Sequence, residues 1–274
     1  MPKKPNPKRR CIFYRDGCGR CTKEDVWPTW VSQYIPRDIE NYTAGFTKVF
    51  PEHMEETRTK HDGDPRSRRV RFVCAKCNSG WMSVLQNRAK PILLPLIMGE
   101  KIVLSQNAQR IVATWCAMSV MTSDWFYPDR QAIPQEQRDW LRDKGEPPPD
   151  TWKIWIANYE RNNWVNHWAR NLIPVLLGKE DVAEFSADGV PRPNTQTTSF
   201  VVGKLYIHAY SSISSTLVEK IGIRPPLSNI ICQIWPVREH FVAWPTTPIT
   251  DRQADDLAGL IAGTIDMLGK PNEG

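Results

Sequence analysis

The hydrophobic pattern of this chain changes period along its length, and the changes mark its elements. Val70, Phe72 and Val73 form an apolar, strand-like run that enters Cys74-Ala75-Lys76-Cys77, with Asn78 immediately after. Trp81 to Ala89 has helical spacing and is expected to stop at Pro91, leaving Ile92 to Ile97 as an apolar connector. Ser105 offers an N-cap to a helix from Gln106 to Thr122, on which Ile111, Val112, Trp115, Met118 and Ser119 make one core-facing stripe. A shorter helix from Gln135 to Lys144 ends at Gly145, ahead of the stiff Pro147-Pro148-Pro149. From Thr151 the period falls to two. Trp152, Ile154 and Ile156 alternate with Lys153, Trp155 and Ala157, which predicts a half-buried strand. Ser199 to Ser211 predicts one long strand, Ile230 to Trp235 another, and Asp251 to Leu268 an amphipathic closing helix. Between Val31 and Phe50 the apolar anchors (Tyr34, Ile39, Phe46, after Trp30) are scattered, and a short helix with loops is expected. The pattern as a whole predicts an α+β protein: a basic arm over 1–10, a cysteine-bearing domain over 11–98, and an α+β domain with an antiparallel sheet over 99–274.

Composition narrows the class. A chain of 274 residues with 41% apolar and 24% charged residues suits a globular protein with a sizeable core. No apolar run approaches the roughly 20 residues of a membrane span, and no apolar stretch follows the basic N-terminus to make a signal peptide. A cytoplasmic location is the expectation. The net charge of +6 is unevenly placed. Residues 1–90 hold 19 Lys/Arg against 10 Asp/Glu, a balance of +9; the remainder holds 17 against 20, a balance of −3. Arg66, Arg68, Arg69 and Arg71 alternate around the strand that leads into Cys74, so Arg69 and Arg71 share a face that can meet phosphates. A nucleic-acid partner, DNA first, is expected for this third. The structural alternative is an edge strand guarded by charge.

Seven cysteines, an odd number, include two C-x-x-C pairs, Cys18/Cys21 and Cys74/Cys77. Four thiolates so spaced hold a tetrahedral Zn²⁺ of the closed, structural kind, which is favoured here over a disulfide framework. Cys11 is an alternative to Cys18 or Cys21 as a ligand. Cys116 and Cys232 lie in apolar surroundings and read as core.

Directly after Cys21 the chain runs Thr22-Lys23-Glu24-Asp25-Val26-Trp27-Pro28-Thr29-Trp30. With the earlier Cys11-Ile12-Phe13 and the later Cys74-Ala-Lys-Cys-Asn-Ser-Gly-Trp-Met-Ser83, this resembles the HNH endonuclease-related proteins of bacteria and their phages. The likeness extends through Ala89-Lys90-Pro91, Trp155 to Tyr159 and Ile234-Trp235-Pro236. It implies a ββα-metal nuclease core with a zinc knuckle. It also implies that Glu24 and Asn78 ligate a divalent Mg²⁺ or Mn²⁺, and that Asp25 occupies the position of the histidine general base. A carboxylate titrating near pH 4, against about 6.5 for His, accepts a proton poorly at neutral pH, so the resemblance implies a degenerate cleavage centre. His53 and His61 are alternative bases or, structurally, loop histidines; His167, His208 and His240 read as structural. A reading from another class makes the chain a non-catalytic adaptor or inhibitor that meets a protein partner through its C-terminal domain.

Overall fold

The first strand among the described residues is Glu24–Asp25 (β1), and one helical turn follows at Thr29–Ser32 (α1). Two nine-residue strands, Asn41–Val49 (β2) and Met54–Asp62 (β3), then form an antiparallel hairpin. The segment expected as a short helix and loops therefore contains a long strand, and His61 lies on β3 rather than in a loop. The scattered apolar pattern hid it because β2 is fixed by its pairing with β7, distant in sequence, and with β3, the outermost strand of the sheet. The chain returns at Arg69–Val70 (β4), which pairs antiparallel with β1. The computed structural model describes residues 10–16, 18–25, 27–34, 41–49, 54–62, 69–126, 131–161, 163–164, 167–175 and 192–268; for 24–25, 41–49, 54–62, 167 and 260–268 it describes the backbone alone. The arm over 1–9, Ile39, His53, Arg66 and Arg68 lie outside the described residues.

After β4 come a helical turn at Ala75–Cys77 (α2), a wider turn over Asn78–Met82 that kinks at Gly80, and the helix Ser83–Met98 (α3). Pro91 does not end α3, contrary to expectation; it and Pro95 both sit inside. Each proline removes one backbone donor, at a cost of about 3 kcal/mol in an ordinary helix interior. Burial of Leu85, Ala89, Leu93, Leu96 and Ile97 along one face offsets that cost, and the expected connector is helix.

A short strand, Ile102–Ser105 (β5), leads into the helix Gln106–Ser123 (α4), where the Ser105 hydroxyl caps the start by accepting from the Ala108 N–H at 3.3 Å. The helix Gln135–Lys144 (α5) stops at Gly145 in the left-handed conformation, φ 70°. The strands Trp152–Asn158 (β6), His167–Ile173 (β7), Thr195–Val202 (β8) and Leu205–Ser212 (β9) follow. The chain closes with Ser215–Lys220 (α6), Cys232–Trp235 (β10), Phe241–Trp244 (β11) and Asp251–Leu268 (α7). β11 pairs with β5, and the other seven long strands form one sheet in the order β10-β6-β9-β8-β7-β2-β3. All its pairs are antiparallel except β2 with β7.

One face of this sheet (Ile154, Ile156, Phe200, Leu205, Ile207) packs on α3 and α4, in a core that continues without a break to Cys11, Phe13, Cys74 and Cys77. The other face (Trp155, Val201, Tyr206, Tyr210) is covered by Leu217 and Val218 of α6 and by Ala254 and Leu257 of α7. β6 is therefore buried on both faces rather than half-buried. Its one ammonium, Lys153 Nζ, donates to the carbonyl oxygens of Glu219 and Ile221 at the end of α6.

The long strand expected over Ser199–Ser211 is a hairpin, β8 and β9, turning at Gly203-Lys204. Alternation continues across the turn, so nothing in the hydrophobic pattern marks it except the glycine. Gly203 has φ 55°, and a Cβ there would lie 2.5 Å from the Ile97 carbonyl oxygen, which accepts from the Lys204 N–H at 2.8 Å. The turn thus docks directly on the C-terminal end of α3. Gly203→Ala is expected to lower the urea stability by about 1–3 kcal/mol. Gly222→Ala, where a Cβ meets nothing within 4 Å, should leave the midpoint nearly unchanged.

Candidate metal centre

The turn at Cys74–Cys77 is tight because the Cys77 and Asn78 N–H groups both donate to the Cys74 carbonyl, at 3.1 and 3.0 Å. This brings Cys74 and Cys77 to one side. The facing half comes from Cys11–Cys18. The Ile12 N–H donates to Phe72 O at 2.8 Å, laying Cys11 against the strand that enters the knuckle, and the Cys18 N–H closes a turn onto Arg15 O at 3.0 Å. The Sγ atoms of Cys11, Cys18, Cys74 and Cys77 consequently all lie within 4.8 Å of one another. Cys18 Sγ and Cys77 Sγ are 3.7 Å apart. A tetrahedron with metal–sulfur bonds of about 2.3 Å has S···S edges of about 3.8 Å. Four thiolates at such separations fit a soft tetrahedral ion such as zinc.

Cys21 is not in this group. The cluster holds Cys18, Cys74 and Cys77 of the expected set, with Cys11, the alternative ligand, in the place of Cys21. The reason is local: in the first half the turn falls at Arg15–Cys18, not at Cys18–Cys21, and Cys21 already belongs to extended backbone that bridges antiparallel to Cys74. Cys11 precedes the apolar pair Ile12-Phe13, whose burial anchors it.

The electrostatics oppose four thiolates in the absence of a cation. Burial pushes the Cys11 thiol well above its ordinary range, and burial together with the Cys74 and Cys18 sulfurs pushes Cys77 up to about 12. Burial also acts upward on Cys74, but hydrogen bonding from the Cys77 backbone and the neighbouring thiols outweighs it and brings that group down to about 7. Four sulfurs so close cannot all ionise unaided; a dication among them reverses this and deprotonates its ligands outright.

The cysteine-bearing segment is clamped to the rest of the fold. Gln135 Nε2 donates to Ile12 O at 3.0 Å, and Arg142 Nη1 donates to Phe13 O and Tyr14 O at 3.3 and 2.5 Å, so α5 holds the Cys11 segment. Phe13 meets Trp81 edge-on, with centroids 4.9 Å apart. Gln86 Oε1 on α3 accepts from both Trp30 and Trp115 indole N–H groups, at 3.3 and 2.9 Å. The sequence offered no signal for this joint beyond an isolated polar residue in a helix.

The other site residues are placed as follows. Glu24 and Asp25 form β1, facing Val70 and Arg69 in register. Asn78 is half-buried at the first position after the knuckle. Arg69 and Arg71 are exposed and alternate with buried Val70 and Phe72, as the strand reading requires. His208 is buried, 2.8 Å from the Ser199 hydroxyl, and burial lowers it to about 4. His240 is exposed, and His167 begins β7. No helix among the described residues is long and apolar enough to cross a membrane.

No protein-family model, curated protein or solved structure matches this chain.

Proposed function

We propose that the chain is a zinc-stabilised nucleic-acid-binding protein built on an HNH-like ββα-metal scaffold whose phosphodiester-cleaving centre is degenerate. The observation that carries this reading is the joining of two basic segments by one cysteine cluster. Because Cys11 and Cys18 meet Cys74 and Cys77, the exposed Arg15, Arg20 and Lys23 belong to the same small unit as the exposed Arg69, Arg71 and Lys76. A cationic surface rigidly held around a structural metal suits a phosphate backbone. Support for the scaffold comes from the pairing of β1 with β4 across the intervening α1, β2 and β3, and from the knuckle and α3 that follow β4 directly, an arrangement that suits a ββα unit with an insertion. Glu24 on β1 and Asn78 after the knuckle are the proposed Mg²⁺ or Mn²⁺ ligands, and Asp25 fills the base position.

The test is fluorescence anisotropy of a labelled DNA duplex titrated with the protein across a salt series. Binding should weaken linearly on a log–log plot, and Arg71→Ala with Lys76→Ala should reduce the slope by about 0.9 for each phosphate no longer neutralised. Plasmid nicking with Mg²⁺ or Mn²⁺ should be negligible for the native chain and appear with Asp25→His. Absence of salt-sensitive binding would overturn the nucleic-acid reading.

A second reading, an adaptor for a protein partner, draws on the β5–β11 ribbon. Leu104 and Val242 face inward there, while Phe241 and Val103 are 69% and 62% exposed on the outer face. On that reading, DNA binding is absent at every salt concentration.

A further inference from the structure

Cys21 lies outside the four-thiol set yet faces one of its members. It is the residue directly opposite Cys74 in an isolated antiparallel bridge. The type of bridge follows from its hydrogen bonds. The Thr22 N–H, one residue beyond Cys21, donates to Val73 O, one residue before Cys74, at 3.0 Å. The Cys74 N–H itself goes to Cys11 Sγ at 3.4 Å rather than to Cys21. Cys21 and Cys74 are thus a non-hydrogen-bonded antiparallel pair, the kind in which Cα atoms sit about 4.5 Å apart and side chains approach most closely. A disulfide needs Cα atoms roughly 4.4–6.8 Å apart, so this pair meets the requirement without movement of either strand. Both side chains are buried, at 7% and 0% exposure, and none of the chain's described cysteines is in a disulfide.

From this we infer that Cys21 is a resolving thiol that makes the metal centre oxidation-sensitive: a peroxide-class oxidant joins Cys21 to Cys74 and thereby ejects the metal. The inference rests on the metal-centre reading of the four cysteines. The chemistry balances with hydrogen peroxide as the named oxidant. Peroxide takes two electrons from one sulfur of the pair, giving a sulfenic acid and one water. The second sulfur attacks it, the S–S bond forms, and the departing oxygen leaves as a second water. Cys74 then has no lone pair committed to the metal. Three ligands remain, the ion departs to water, and the freed thiolates take up protons. Cys18 and Cys77, 3.7 Å apart, are the competing pair. Both are ligands, however, and pairing them requires two metal bonds to break together, whereas Cys21 reaches Cys74 at the cost of one.

The experiment uses the full chain, reduced and metal-loaded. Zinc content is measured first, then hydrogen peroxide is titrated in while a chromophoric chelator reports released zinc. Aliquots are alkylated and mapped by mass spectrometry without reduction. The expected first product is a Cys21–Cys74 peptide pair lighter by two hydrogens, formed in step with zinc release and reversed by dithiothreitol. Cys21→Ser should keep its zinc while reduced and release it roughly ten-fold more slowly under oxidant. A first disulfide between Cys18 and Cys77, or zinc release from Cys21→Ser at the native rate, would overturn the inference. Reduced native protein without zinc would overturn the metal-centre reading separately, and the peptide map would still decide whether Cys21 and Cys74 pair.

Discussion

Chelating the metal is expected to abolish the cooperative fold of the N-terminal unit. Cys11, Cys74 and Cys77 are buried with Ile12, Phe13, Val73 and Met82 within the same core as α3 and α4, Cys18 is partly buried against it, and few regular elements besides the cluster hold residues 11–25 to residues 69–77. β1 and β4 are two residues each, too short to persist unaided. Structural zinc of this class contributes an apparent 10–16 kcal/mol, roughly as much as the whole stability of an ordinary domain. Removal with EDTA, or Cys74→Ser, should therefore lower Tm by on the order of 10 °C or more and erase the near-ultraviolet circular dichroism of Trp81, which packs edge-on against Phe13 of this unit. Cys232→Ser, a cysteine outside the group, should shift Tm little. An EDTA-treated protein with native spectrum and Tm would mean that the thiols pack as plain core.

Replacing Asp124 is expected to have the second largest effect. This carboxylate ends α4 with no exposure, and it receives guanidinium hydrogen bonds from both Arg138 of α5 and Arg170 of β7. It also accepts from the Ala132 and Ile133 N–H groups at 3.0 and 3.3 Å. One side chain thereby ties α4, α5 and the sheet. Asp124→Asn leaves two buried guanidiniums facing one neutral amide, and breaking a buried pair from one side costs about 3–5 kcal/mol. Urea unfolding should show that loss as a lower midpoint with an unchanged slope. Burial alone would raise the Asp124 carboxyl, but Arg170 and Arg138 outweigh it and hold it below the usual carboxylate range. The sign for pH follows: a depressed folded value means the stabilisation is present above the unfolded value of about 3.9 and disappears as pH falls through the folded one. Acid unfolding of the native chain should thus include a steep step below pH 4 that Asp124→Asn lacks.

Local patterns carried much of the fold. Ser105, Gly145 and the stripe of α4 gave the bounds of α4 and α5 to within a residue, and the apolar positions of α7 did the same, because caps and period are local physics. What escaped was decided by distant partners. Pro91 stays helical because buried side chains along α3 outweigh a missing hydrogen bond. Gly203 turns the chain because Ile97 leaves room for no side chain. β2 and β3 exist through pairing with each other and with β7, far away in sequence. The same holds at the site. Spacing pointed to Cys18, Cys74 and Cys77 as ligands, but the choice between Cys11 and Cys21 depended on where the turn after Phe13 fell. The Asp124 cluster gave no signal, since its three charges lie on separate elements.

Whether Cys11, Cys18, Cys74 and Cys77 hold a metal is decided by metal content. Protein purified under reducing conditions, as the native chain and as Cys11→Ser and Cys21→Ser, would be analysed for bound zinc by mass spectrometry of the intact complex. Zinc is expected in the native chain and in Cys21→Ser, and its loss in Cys11→Ser. Zinc retained by Cys11→Ser and lost from Cys21→Ser would contradict the assignment.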